Sequence, residues 1–246
     1  MRLHLLGTAG YHPNEFRDTP CLMLPECGVL LDAGTGMHRL RDLLETRTLD
    51  IFLTHVHLDH VVGLTYLLGL LFDKPMDRID VHGEAEKLRA LDEHLFSQFL
   101  FPVRPAFAWR PLTQPVTLPG NGVVRWFPLQ HPGGSVGYRI DWPQRSLAYV
   151  TDATAAPDAS YIPEIRNVDL LVHECFFPDG WEERAEVTGH SCLTPVARLA
   201  RQAEVGRLVL VHINPLAREA DPFGIESVRE IFPETRVGQD GMVIEF

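Results

Sequence analysis

Short apolar runs punctuated by Gly, Pro and Asp recur along this chain. Residues 2–6, 21–24, 29–31 and 51–54 have the length and composition of strands. A helical pattern over 37–45 follows the turn Asp32-Ala33-Gly34-Thr35-Gly36. A second helix is expected from Asp59 through Leu71. A third, over 84–99, places Leu88, Leu91, Leu95 and Phe99 at helical spacing. The pattern then changes to strands at 116–118, 123–128, 137–140 and 147–150, joined by Pro- and Gly-containing turns. The last third alternates again: strand 170–173, helix 193–203, strand 207–211, helix 224–231, and closing strands near Arg236 and at 242–245. Many strands with helices early and late predict an α/β fold in which sheets pack together and helices lie outside.

The chain has 246 residues and no composition break, which predicts a single domain over 1–246. A chain of this size buries roughly 70–75% of its extended surface and needs no staples. The longest apolar stretch, 61–72, is broken by Gly63, Thr65 and Gly69 and falls short of the roughly 20 residues a membrane span needs. The run at 1–7 is too short for a signal peptide. A cytoplasmic location and no membrane partner are therefore expected. Cys21, Cys27, Cys175 and Cys192 match neither a CxxC pair nor a disulfide framework, so free thiols are expected. A net charge of −11 argues against a large polyanionic partner, since nucleic-acid binding needs a basic surface. It leaves room for a small phosphorylated substrate, because bound metal ions supply local positive charge.

The strongest chemical signal is Thr54-His55-Val56-His57-Leu58-Asp59-His60, directly after an apolar strand. His55 and His57 are two apart, so an extended chain points both the same way. Asp59 and His60 fall where a helix begins. Asp59 also suits a helix cap, but capping does not account for three histidines, which are costly at a strand end unless paired. Imidazole and carboxylate without thiolate suit zinc, with manganese or iron as lesser options. Four ligands this close serve two divalent ions better than one tetrahedral ion.

His-x-His-x-Asp-His after a strand resembles the signature of the metallo-β-lactamase superfamily. Leu5-Leu6-Gly7-Thr8-Ala9-Gly10, then Arg17 and Thr19, then Leu30-Leu31-Asp32-Ala33-Gly34, resemble the start of the tRNase Z-like and small phosphodiesterase branch. The resemblance covers nearly the whole chain. It implies an αβ/βα four-layer sandwich with a dinuclear site between two sheets. It also implies the remaining ligands: His131 in a turn, and Asp152 and His212 at strand ends. One metal would take His55, His57 and His131, the second Asp59, His60 and His212, with Asp152 bridging.

Gly137-Tyr138, His173-Glu174-Cys175-Phe176 and Gly189-His190-Ser191 resemble motifs of the same branch. They imply a catalytic pair, Glu174 with His190, in which His190 protonates a leaving alkoxide. Asp59 would orient the nucleophilic water, a zinc-bound hydroxide in the dinuclear reading. Ser191 is also a good cap for the helix starting near Leu193, and His173 fits a buried structural role. The chain departs from the tRNase Z pattern twice. Only residues 139–148 stand where that family carries a long arm that grips transfer RNA, with room for one hairpin turn. Ile213-Asn214-Pro215 replaces the Ser and Arg that follow the last histidine ligand. The expected function is a metal-dependent phosphodiesterase acting on a small phosphodiester, cyclic ones included, with large RNA not expected as a partner. The competing readings are a hydrolase of carboxylic esters, thioesters or lactones on the same site, and a non-catalytic metal-binding member. A homodimer is compatible with the resemblance. The aromatic, proline-rich stretch 96–111 fits core, lid or dimer contact, with core the commonest outcome for such a segment.

Overall fold

The computed structural model describes residues 1–246. Its strands are β1 (Arg2–Gly7), β2 (Cys21–Leu24), β3 (Val29–Leu31), β4 (Thr48–Phe52), β5 (Arg78–Gly83), β6 (Ala108–Pro111), β7 (Val116–Leu118), β8 (Gly122–Leu129), β9 (Ser135–Trp142), β10 (Arg145–Val150), β11 (Leu170–Glu174), β12 (Leu208–Val211), β13 (Thr235–Val237) and β14 (Val243–Glu245). They form two seven-stranded sheets, ordered β14-β1-β2-β3-β4-β5-β6 and β13-β12-β11-β10-β9-β8-β7.

Side chains alternate across each strand, and here both faces are apolar. Leu3, Leu22, Leu31 and Phe52 from one sheet meet Tyr138, Leu147, Tyr149, Val172 and Val209 from the other in a central core. The opposite face of the first sheet, with Met23, Leu30 and Ile51, packs under Met37, Leu40, Leu64 and Leu88. The opposite face of the second, with Ala148, Leu171 and Leu210, packs under Leu193, Val196, Leu199 and Val228. The result is the expected four-layer αβ/βα sandwich. Strands buried on both faces explain why the sequence shows continuous apolar runs rather than alternation.

β3, β4 and β5 run parallel, as do β10, β11 and β12, while β9 is antiparallel to both β8 and β10. In the second sheet the C-terminal ends of β8, β10, β11 and β12 therefore share one edge, the edge where ligands collect in open α/β sheets.

The helices are shorter than their apolar spacing predicts. Over 37–45 the chain forms a 3-10 turn, Thr35–Arg39, and one α-turn, Leu40–Leu43. The segment 59–71 is split into Leu58–Val61, a 3-10 stretch Val62–Tyr66, and Leu67–Leu70. The segment 84–99 is α-helical over Ala85–Ala90 and continues as a π-turn, Leu91–Leu95. Leu193–Gln202 is formed as predicted. No helix is long and apolar enough to cross a membrane. The four cysteines are free and buried.

The stretch 96–111 is core at its base. Phe96 is fully buried and meets Phe101, Phe107 and Trp109 edge-on at centroid distances of 5.3, 5.4 and 6.0 Å, while Phe99 and Leu100 project into solvent. Edge-to-face rings of this kind add to simple area burial. Phe96→Ala is expected to destabilise the protein by about 3–5 kcal/mol, seen as a lower urea midpoint at an unchanged denaturant slope.

Candidate metal centre

Seven side chains converge where the two sheets meet. Thr54 to His57 leave β4 in extended conformation, and a short helix, Leu58–Val61, turns Asp59 and His60 back toward the sheets. His131 follows β8, Asp152 follows β10, and His212 directly follows β12. Every sequence-predicted ligand is present in the cluster. The ligand atoms of His55, His57, His131 and Asp152 lie within 4.8 Å of one another, and so do those of Asp59, His60 and His212.

Asp152 stands between the two groups. Its Oδ1 is 3.5 Å from His131 Nε2 and 3.9 Å from His55 Nε2. Its Oδ2 is 3.2 Å from His60 Nε2 and 3.4 Å from His212 Nε2. Asp59 Oδ2 lies 3.3 Å from His60 Nε2 and 3.5 Å from His212 Nε2, and accepts the Tyr11 amide N–H at 2.8 Å. Asp59 caps no helix end with its side chain.

The imidazoles are oriented from behind. His60 Nδ1–H donates to Asp32 Oδ2 at 2.8 Å, and His131 Nδ1–H donates to the Gly189 carbonyl at 3.1 Å. His55 Nδ1 lies 3.1 Å from the Thr54 hydroxyl, which itself donates to Asp32 at 2.9 Å. Each arrangement commits Nδ1 and leaves the Nε2 lone pair facing the cluster, the usual backing of a metal-bound histidine. Sequence alone does not single out Asp32 as a site residue. Its turn motif marked it, but its Tyr149 partner lies far along the chain, with the hydroxyl donating to Asp32 Oδ2 at 2.9 Å.

Two close approaches shape the rim. A Cβ on Gly10 would stand 2.4 Å from the His212 ring, so only glycine lets that loop reach its position. Gly189 has φ +73°, and a Cβ there would press on Pro132 and His131 at 2.8 and 2.9 Å.

For His55, His57, His131, Asp59 and Asp152 the electrostatics favour ligation. Burial, then the neighbouring His60, pushes His55 well below the usual imidazole range, and burial also lowers His57 and His131, so all three present neutral nitrogens. Burial alone would raise Asp152, yet His212, His60 and His55 together hold it well below the carboxylate range. Asp59 is lowered in the same way by His60 and His212 against its burial. His60 is raised, because Asp59, Asp152 and Asp32 outweigh its burial. His55 Nε2 is buried without a hydrogen-bond partner and points at this cluster. A buried polar atom with no partner is rare. Together with the three-histidine, one-carboxylate set around it, it fits a divalent cation of the zinc type.

Beside the cluster sits a second constellation. Glu174, the last residue of β11, is fully buried. It accepts His190 Nδ1–H at 3.0 Å, the Ala153 amide at 2.8 Å and the Ser191 amide at 3.1 Å. A His190 ring nitrogen lies within 4.8 Å of ligand atoms of Asp152 and His212. Phe176 stacks on the His190 ring at 4.7 Å. Burial opposes the charged ring, but Glu174 prevails and raises His190 to about 9. The Ser191 hydroxyl donates to Ala153 O at 2.6 Å and caps no helix. His173 is structural, bonded to the Tyr161 hydroxyl at 2.9 Å and to the Glu174 carbonyl at 2.7 Å. His12 is exposed and bonds within its own loop.

Residues 28–213 match the family model described as Beta-lactamase superfamily domain. Ribonuclease Z of Archaeoglobus fulgidus is 27% identical, spanning 99% of this chain and 97% of that protein. Ribonuclease BN of an Enterobacter strain is 27% identical, spanning 99% of both. Both alignments, over 303 and 314 positions, exceed the 246 residues here, so those proteins carry segments this chain lacks. Among solved structures, the human short-form tRNase Z matches with a TM-score of 0.78 at 22% identity, covering 100% of this chain and 99% of that one. A diphosphatase from the PhnP family matches at 0.74 and 22%, covering 100% and 98%. At these identities the structures bear on the fold alone. With the family model spanning most of its length, the chain belongs to the metallo-β-lactamase superfamily.

Proposed function

We propose that this protein is a phosphodiesterase acting on a small phosphodiester at a dinuclear metal site. The observation that carries the reading is the Glu174–His190 pair set against the histidine–aspartate cluster. A thiolate leaving a thioester needs no protonated imidazole there, whereas an alkoxide leaving phosphorus gains from one. His55, His57 and His131 would hold one ion, Asp59, His60 and His212 the other, with Asp152 shared. Two divalent ions supply Lewis acidity toward the phosphoryl oxygens and lower the pKa of water.

The remaining work falls to the chain itself. The Tyr11 amide holds Asp59 Oδ2 where it faces the cluster, and from there Asp59 would orient the attacking water. The attacking water gives up one proton to solvent as its oxygen adds to phosphorus and the ester P–O bond breaks. The departing alkoxide takes the His190 proton, and His190 regains one from solvent, so that diester and water become monoester and alcohol. Glu174 holds the imidazole in place and keeps it charged.

The absence of an arm supports a small substrate. Between β9 and β10 the chain turns through Pro143 and Gln144 alone, with Trp142 paired to Arg145. Ribonuclease Z and the PhnP-family diphosphatase are named for cleaving bonds to phosphorus, and attack at phosphorus is the chemistry assigned here, on a chain of −11 net charge. Zinc is the expected ion, with manganese or iron the alternatives.

Bis(p-nitrophenyl) phosphate is expected to be hydrolysed by protein carrying about two metals per chain, and Asp152→Ala is expected to lose both turnover and metal. Two bound metals with turnover of thioesters or lactones but of no phosphodiester would overturn the phosphorus assignment.

His190→Ala is expected to lower kcat by about 10²–10⁴ on alkyl phosphodiesters with metal content intact. The loss should be smaller on p-nitrophenyl esters, whose leaving group needs no proton. Because the acid must be charged, activity falls as pH rises through the His190 pKa. Glu174→Gln removes what raises that pKa and should move the alkaline limb to lower pH.

Asp32→Ala leaves Thr54, His60 and Tyr149 without their buried acceptor. It is expected to cost about 3 kcal/mol or more and to weaken metal binding about 10–100-fold, read by denaturation and by competition with a chelating dye.

A further inference from the structure

The metal centre opens to solvent along His57-Leu58-Asp59, where His57 and Leu58 are exposed and Asp59 is half-buried. The loop after β1 stands against this opening. Gly10 packs on the His212 ring, and the Tyr11 amide donates to Asp59 Oδ2 at 2.8 Å. The loop is fastened there: Gly10 N–H donates to the Ile213 carbonyl, and Asn14 Nδ2 to the Pro215 carbonyl, both at 2.9 Å. The mechanism assigned above uses the amide of Tyr11 and nothing else of that residue. Its ring is left 76% exposed, and Leu58, between two ligands, is 70% exposed.

The backbone of Tyr11 is strained. Its φ is +64°, and His12 N–H bonds back to the Gly10 carbonyl at 2.8 Å, which closes a γ-turn with positive φ, the rare and costly form. Five of the seven non-glycine residues with positive φ are Asp, Asn or His, which tolerate it. Tyr11 is bulky and has no such excuse. Glycine would make the same turn and donate the same N–H without strain. Strain kept beside a site points to a use, and what glycine would lose here is the ring. The ring is also held in place. His12 meets it edge-on at 5.5 Å and is itself tied by Nδ1–H to the Pro13 carbonyl at 2.9 Å. An edge contact leaves the faces of the Tyr11 ring open.

We infer that Tyr11 determines specificity: its ring is a platform on which a flat apolar group of the substrate stacks, carried on the ester arm that stays with phosphorus. This rests on the phosphodiesterase reading and deepens it, since it makes the substrate a diester whose retained alcohol bears an aryl or similar flat group. The leaving alcohol stands at His190. Tyr11 is fastened to Asp59, which orients the attacking water, and attack and departure lie on opposite sides of phosphorus. The arm within reach of Tyr11 is therefore the retained one. Residues 10–16 include no Lys or Arg and carry Glu15. A second phosphate would find no partner there, whereas a flat apolar group needs only a ring face.

The test holds the leaving group constant and varies the retained arm. Methyl and benzyl p-nitrophenyl phosphate shed the same phenolate, and their retained alcohols are of similar acidity, so the ratio of kcat/KM reads the contact made by the benzyl ring. With metal-loaded full-length protein the benzyl ester is expected to be favoured about ten-fold, the order of effect of one ring stacked on an aromatic side chain. Tyr11→Phe should keep that ratio. Tyr11→Gly and Tyr11→Asn, which suit a positive φ and keep the amide, should bring it to about one with metal still bound. Calorimetry with methyl phosphate and benzyl phosphate reads the same contact without turnover, and benzyl phosphate should bind about ten-fold tighter wherever the Tyr11 ring is present. A ratio near one in the wild type overturns the inference, as does a ratio that survives in both ringless variants. Loss of metal from both of them, with Tyr11→Phe still loaded, would assign the ring to the metal scaffold and overturn it too. If both diesters are hydrolysed in those cases, the phosphodiesterase reading stands and the platform alone falls. If neither diester is hydrolysed while benzyl phosphate keeps its Tyr11-dependent preference, the platform stands and the phosphodiesterase reading falls. Protein that cleaves neither diester and binds neither monoester removes both.

Discussion

The carboxylate of Asp32 has no contact with solvent, and a buried charge of that kind is tolerable only when its oxygens are fully engaged. The acceptors are filled by the Thr54 amide and hydroxyl, by His60 Nδ1 and by the Tyr149 hydroxyl. These partners come from the loop after β4, from the short helix that follows it, and from β10 in the opposite sheet. One group thus ties the two sheets together and fixes the tautomers of His55 and His60. The requirement that the fold pair its buried charge, and the requirement that the site present free Nε2 atoms, are met by the same hydrogen bonds. Glu174 repeats the arrangement from the second sheet: a buried carboxylate at a strand end that holds two backbone amides of the structure and one imidazole of the site.

Local patterns were legible in the sequence and long-range ones only through resemblance. The cluster His55, His57, Asp59, His60 is contiguous, so its chemistry could be read directly. His131, Asp152 and His212 lie at strand ends, and nothing within a few residues of each separates a ligand from a structural histidine or aspartate. β5 is not legible in the sequence because Asp80 and His82 interrupt its apolar run. In the structure His82 stacks on Phe52 at 4.4 Å and bonds Asp50 at 2.9 Å, while Arg78 pairs with Asp50. β6, an edge strand ending in Pro111, carries too little apolar pattern to stand out. The helix Glu182–Thr188 buries Ala185 alone, so it has no stripe to detect.

The predicted helices at 37–45, 59–71 and 84–99 failed in a different way. Spacing of apolar residues reports which positions face the core, and most did: Met37, Leu64, Leu67, Leu88 and Leu91 are buried, whereas Leu95 is half-buried and Phe99 projects into solvent. Spacing does not report whether the backbone holds one helical geometry between them. Here the layer is made of single turns in α, 3-10 and π form, and packing against the sheet supplies the order that isolated short helices lack.

Asp32, Asp152 and His212 share one backbone feature: each follows a strand with φ near +55°, at 57°, 52° and 53°. Asp and His are among the few side chains found there with any frequency, and each such residue stores about 1–3 kcal/mol of strain. The left-handed step reverses the chain at the sheet edge, so that each side chain is placed by its strand and not by the loop beyond it. Chemistry and recognition are thereby inherited through separate parts of the chain. Loops after these three positions can lengthen, shorten or change charge over evolutionary time while the reactive geometry is passed on intact, which is how one scaffold comes to host relatives with different substrates.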